Sequence, residues 1–191
     1  YDGSSGRRIP PVVMGHEASG VITETGKHVQ NWKKGDRVTF DSTIYPLNDW
    51  YTLNGMYNLS DNREVLGVSP GNYNRQGAFA EYVAIPQHVL YKIPDNVSFE
   101  HAAMVEPIAV ALHAVNIANP KIGDSCAVVG IGMIGSFILQ LLHISGIQNL
   151  IAIDINDQLL HDSKNLGTTM AIRADEKKMK DVIMAGTKNR G

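Results

Sequence analysis

Cys126-Ala127-Val128-Val129-Gly130-Ile131-Gly132-Met133-Ile134-Gly135, an apolar helical pattern behind it, and then Leu150-Ile151-Ala152-Ile153-Asp154 together decide the fold. The short apolar run closed by glycine reads as a buried strand. The Gly-x-Gly-x-x-Gly that follows is a weak signal by itself in a chain of 191 residues with 18 glycines. Its setting makes it strong: a strand before it, a helix after it, and a second strand ending in an acid about twenty residues beyond the glycines. Gly130 makes the tight turn, Gly132 lets the backbone approach a pyrophosphate, and Gly135 brings helix and strand together. The free N–H groups and dipole at the helix start favour the anion. Asp154 is placed to accept hydrogen bonds from an adenosine ribose, and its charge repels a 2′-phosphate. The expected cofactor is therefore NAD rather than NADP, bound through Gly130, Ile131, Gly132, Met133, Ile134, Gly135 and Asp154. The plainer alternative is a glycine-rich turn whose aspartate caps the helix at Asp157, and it needs all these features to coincide.

Outward from this unit, strands and helices alternate: strand Ser125–Val129, helix Met133–Ser145, strand Asn149–Ile153, helix Asp157–Asn165, strand Met170–Arg173 and helix Lys177–Ala185. Such alternation implies a parallel sheet. About three strands are present where a complete Rossmann domain has about six, so the first half of that domain is expected. Upstream, Glu106-Pro107 opens a helix that runs to about Ile117 and ends at Asn119-Pro120. Before it, from Pro11 to Pro94, the apolar runs are short and strand-like: Ala18–Thr25, Arg37–Phe40, Phe79–Ile85 and Val89–Ile93. They suggest a small β-barrel or rolled sheet. The fold class is thus α/β plus all-β, with domains at 1–118 and 119–191. A long polar stretch with interleaved aromatics, from Asp41 to Asn74, is of the kind that carries function or needs extra stabilisation.

Composition excludes several roles. Seventeen basic against nineteen acidic residues give a formal charge of −2 without a like-charge block, so nothing draws the chain to nucleic acid or to an anionic membrane. The longest apolar run, near 137–144, is interrupted by Gln140 and His143 and is too short to span a bilayer. One cysteine, Cys126, cannot form an internal disulfide, which fits a reducing compartment and a cytoplasmic location. The chain begins at Tyr1 in a loop-like stretch and stops at Arg190-Gly191 just after a helix, and it reads as a piece truncated at both ends.

Gly15-His16-Glu17 follows an apolar run and precedes a strand. A histidine and a carboxylate side by side both reach one zinc ion if the backbone turns there, but a third ligand is required. Glu106, set in Met104-Val105-Glu106-Pro107-Ile108, is the candidate, since an acid in so apolar a run is neutral, paired or metal-bound. A histidine paired with its neighbour's carboxylate, and an acid stabilised at a helix amino end, are the non-metal alternatives.

These motifs, with Gly35-Asp36-Arg37-Val38, Gly77-Ala78-Phe79-Ala80-Glu81-Tyr82-Val83 and Arg8-Ile9-Pro10-Pro11, make nearly the whole chain resemble the zinc-dependent medium-chain dehydrogenases, and most closely their sorbitol and polyol branch. The resemblance implies a GroES-like catalytic domain followed by a Rossmann domain. It implies a catalytic zinc held by His16, by Glu17, and by Glu106 directly or through water. Glutamate at 106, where alcohol dehydrogenases of the family commonly have cysteine, points to polyols. The family's first zinc ligand and its proton-relay hydroxyl are expected upstream of Tyr1. In many relatives the long loop holds a structural zinc through C-x2-C-x2-C-x7-C. The matching positions here are Pro46, Asp49, Thr52 and Ser60, none of which supplies thiolate, so a structural zinc is not expected. Trp50, Tyr51, Leu53, Met56 and Tyr57 are expected to pack the lobe instead.

The implied reaction oxidises a secondary hydroxyl of a polyol or sugar alcohol, phosphorylated or not, to a ketone, with hydride passing to NAD. Arg7 and Arg8 read as solvated loop arginines more readily than as phosphate ligands. A zinc-free reductase of the same superfamily and an NAD-binding protein without turnover are the rival readings. A small-molecule substrate and a homo-dimer or homo-tetramer are the expected partners.

Overall fold

A computed structural model of the protein describes Ser4 and residues 9–68, 75–175 and 179–189. Arg7, Arg8, Asn74 and Lys177, which enter several of the expectations above, lie outside them. Two compact units divide the chain, Tyr1–Glu106 and Pro107–Gly191.

In the second unit, β6 (Ser125–Val129), β7 (Asn149–Asp154) and β8 (Met170–Arg173) form a parallel sheet with β7 in the middle. They alternate with α4 (Met133–Ile144), α5 (Asp157–Ser163) and α6 (Met179–Gly186), as expected. Successive side chains of β7 point to opposite faces, and both faces are covered. Leu150 and Ala152 join Val115, Val128, Ile131, Leu139 and Leu142 in one cluster. Ile151 and Ile153 join Ile172 in another, against Met179, Val182 and Ile183 of α6. That is why β7 is an unbroken apolar run rather than an alternating one. A helix as short as α5 is marginal by itself. It is held by an Asn156 cap, whose side chain accepts from the N–H groups of Gln158 and Leu159, and by burial of Leu160.

In the first unit, β1 (Ser19–Val21), β2 (Arg37–Phe40) and β5 (Leu90–Lys92) form an antiparallel sheet centred on β2. β3 (Thr43–Ile44) pairs with β4 (Glu64–Val65), and Phe40, Ile44, Leu66 and Val89 make the core. Between β3 and β4 lies α1 (Trp50–Leu53). Past β5, the Arg37 guanidinium donates to the carbonyls of Pro94, Asp95 and Val97 and stacks over Phe99, 4.6 Å from the ring centroid. This clip fixes the approach to α2 (Phe99–Ala103), whose cap Ser98 accepts from the His101 N–H, and so to α3 (Val105–Ala118).

Several expectations change. The strand-like apolar run at Phe79–Ile85 does not form a strand: Phe79 and Tyr82 are 74% and 73% exposed. A strand exists through its ladder, and only residues 77–79 of this region find backbone partners, on residues 13–15. The run at Ala18–Thr25 contracts to Ser19–Val21, and beyond it Ile22 still exchanges backbone hydrogen bonds with Gly35 and Asp36. α2 is a helix that periodicity did not suggest, and α3 starts at Val105 rather than at Pro107. Pro107 still lies in the first turn, where its missing N–H breaks no helical bond. Val115 of α3 packs into the core cluster of the second unit. No described helix is long and apolar enough to cross a membrane.

Candidate functional site

His16 and Glu17 follow a backbone segment that is tightly held. Gly77 N–H donates to Val13 O (2.6 Å), Ala78 N–H to Gly15 O (2.8 Å) and Phe79 N–H to Met14 O (2.9 Å), while the Gln76 side chain accepts from the Val13 N–H. Glu106 is set in the first turn of α3. His16, Glu17 and Glu106 each offer one ligand atom, and these atoms all lie within 4.8 Å of one another. His16 and Glu106 are half-buried and Glu17 is exposed.

The apolar run around Glu106 shields it on one side only, since helical geometry leaves Val105 48% exposed. Its carboxyl is nonetheless raised above the usual carboxylate range. Burial is the main cause; Glu17 and Asp41 push the same way, while His16 and the Ser42 hydroxyl, which approaches Oε1 at 3.5 Å, oppose it. Two carboxylates and an imidazole crowded together in this way are relieved by a cation. One nitrogen and two oxygen donors suit zinc, and three protein ligands leave a position open for a reacting group. The residues present therefore fit the metal. Ser42 and Asp41 were not apparent as part of this site, because Asp-Ser after a strand reads as an ordinary turn. His113 is exposed and does not join the group. A cavity of about 380 Å³ in the first unit is lined instead by residues such as Val21, Val38 and Ile85, and by none of the three.

At the glycine-rich turn, Asp154 accepts through Oδ2 from the Ile131 N–H (2.8 Å) and through Oδ1 from the Asn156 N–H (2.9 Å). These bonds hold its carboxyl below the usual range, the Ile131 bond most. A Cβ on Gly135 would overlap the Gly130 carbonyl oxygen, so helix and strand approach as closely as expected of this turn. Gly132 is the α4 N-cap and brings no side-chain acceptor, which leaves the helix-end N–H groups available to an anion. Ile131 is buried at 1% exposure, so its side chain serves the core and only its backbone faces the turn; Met133 is exposed.

Three of the four positions in the lobe that match metal ligands are bonded to one another. Asp49 caps α1 by accepting from the Thr52 N–H (2.7 Å), and its other oxygen accepts from the hydroxyl of fully buried Ser60. Trp50 and Leu53, expected to pack the lobe, are 65% and 72% exposed. Tyr57 does contribute, stacking on Tyr45 with centroids 4.4 Å apart. The Ser60 and Thr52 bonds hold the Asp49 carboxyl below its ordinary range. A group so depressed adds stability above its unfolded pKa and loses it as pH falls through the folded value. Acidification through the carboxylate range, or Asp49→Ala at neutral pH, is thus expected to speed proteolytic cleavage within 50–59. Equal cleavage of variant and parent at pH 7 would count against this clasp.

Residues 1–95 match the alcohol dehydrogenase GroES-like domain. Over 173 residues the chain is 38% identical to (R,R)-butanediol dehydrogenase of Bacillus subtilis, covering 91% of this chain and 47% of that one. It is 35% identical, again over 173 residues, to L-threonine 3-dehydrogenase of Bacillus velezensis, covering 91% and 48%. The solved alcohol dehydrogenase TADH of Thermus sp. ATN1 superposes with a TM-score of 0.89 at 28% identity, covering 96% of this chain and 54% of that one. A GroES-like unit followed by part of a Rossmann domain is the architecture of the medium-chain dehydrogenase fold. Residues 1–95 belong to the alcohol dehydrogenase GroES-like family, and nearly the whole chain is similar to medium-chain alcohol and polyol dehydrogenases. It spans about half the length of the curated relatives it matches.

Proposed function

We propose that the full-length protein is a zinc- and NAD-dependent dehydrogenase that oxidises a secondary hydroxyl of a small polyol or sugar alcohol to a ketone. The observation that carries this reading is the convergence of His16, Glu17 and Glu106 ligand atoms within 4.8 Å. These three residues would hold one zinc ion, which supplies a Lewis acid to an alcohol oxygen. The dinucleotide supplies the hydride acceptor.

The chain's own residues bind and orient. His16 would bring the nitrogen donor, Glu17 and Glu106 would offset the metal's charge, and Ser42 would steady the Glu106 carboxylate as an outer partner. Backbone N–H groups at the start of α4, around Gly132 and Met133, would hold the pyrophosphate, and Asp154 would take the adenosine ribose while disfavouring a 2′-phosphate. The lobe carries no second zinc, since Pro46, Asp49, Thr52 and Ser60 lack thiolates. Relatives named for a butanediol and for L-threonine support a small hydroxylated substrate.

The test is an assay of full-length protein with NAD against polyols, diols and L-threonine, before and after chelation and zinc readdition. Turnover lost on chelation and restored by zinc is expected. Turnover that survives metal removal would overturn the zinc role, and NAD binding without turnover by zinc-loaded protein would overturn the enzymatic one.

A further inference from the structure

We propose that Gly67 and Gly77 form a backbone cradle that sets the turn Met14-Gly15-His16, and are thereby positioning residues for the metal; this rests on the zinc reading above. A Cβ on Gly77 would lie 2.5 Å from Met14 O and closer still to Gly15 O, and one on Gly67 would lie 2.6 Å from Gly15 N and 2.8 Å from Gly15 O. The opposing atoms are backbone, so no rotamer change relieves the overlap. The cradle is closed by the three hydrogen bonds from 77–79 to 13–15 and by the Gln76 side chain on the Val13 N–H. Gly67 is tied in as well, its N–H donating to Arg75 O at 2.9 Å.

The turn sits between two walls that only glycine permits, and His16 and Glu17 leave it in succession. Gly67 has φ +68, where a side chain is also strained, whereas Gly77 has no such backbone restriction and reports the contact alone. Alanine at 77 must push Met14 and Gly15 outward. Metal sites tolerate ligand distances to about 0.2 Å, so a displacement larger than that shows in affinity.

Full-length Gly77→Ala should bind Zn2+ and Co2+ ~100-fold more weakly in competition with a chelator, the upper end of what loss of an outer-shell support costs. Its Co2+ absorption spectrum should also change, while circular dichroism stays that of the parent. Gly20→Ala is the control, since a Cβ there meets nothing within 4 Å. Folded Gly77→Ala with parental affinity and an unchanged Co2+ spectrum would overturn the cradle. If Gly77→Ala does not fold, Gln76→Ala adds no volume; about tenfold weaker metal binding supports the proposal, and parental binding overturns it. Parent protein that takes up no Zn2+ or Co2+ overturns the zinc reading itself and the cradle's role with it.

Discussion

Full-length protein carrying His16→Ala is expected to lose bound zinc and to oxidise its alcohol at least about a thousandfold more slowly. A Lewis-acid metal supplies several kcal/mol of charge stabilisation, and each 1.36 kcal/mol is tenfold in rate. The ligand atoms of His16, Glu17 and Glu106 come within 4.8 Å of one another. Removing the imidazole leaves two carboxylates that repel, one of them already raised by burial. Zinc content and turnover should fall together, with the melting of the Rossmann unit little changed. Retained zinc with lost turnover would place His16 elsewhere in the reaction.

The second large effect concerns the cofactor. Asp154→Asn is expected to reduce discrimination against NADP by about 10- to 100-fold, the loss of a charged hydrogen bond worth about 1.5–3 kcal/mol. Asparagine keeps an oxygen for the Ile131 N–H, so the turn that Asp154 now braces at 2.8 Å is retained. Asp154→Ala removes both and should in addition weaken NAD itself. Unchanged NAD-to-NADP preference in Asp154→Asn would remove the aspartate from the specificity argument.

The Rossmann unit was legible because its signals are local. A strand covered on both faces must be apolar throughout, as Leu150 to Ile153 is, and the glycine turn obeys steric rules acting between near neighbours. The β unit was less so. Phe79 to Ile85 is a short, strand-like apolar run, yet pairing depends on a partner distant in the chain, and only 77–79 meet one. α2 carried a signal that periodicity passed over, the Ser98 cap with Glu100 in the first turn. His16, Glu17 and Glu106 stood out as residue types able to bind metal. That Ser42 approaches Glu106, or that Gly67 and Gly77 confine Gly15, rests on contacts across more than fifty residues of sequence. The lobe shows the same limit: its aromatics suggested packing, but an aspartate and a serine eleven residues apart hold it, while Trp50 and Leu53 face outward.

The most direct measurement is the zinc content of purified full-length protein, by atomic emission, beside a variant with His16, Glu17 and Glu106 all changed to alanine. One zinc per chain in the parent and none in the variant is the predicted result. Equal zinc in the two proteins would contradict the assignment of these three residues to the metal.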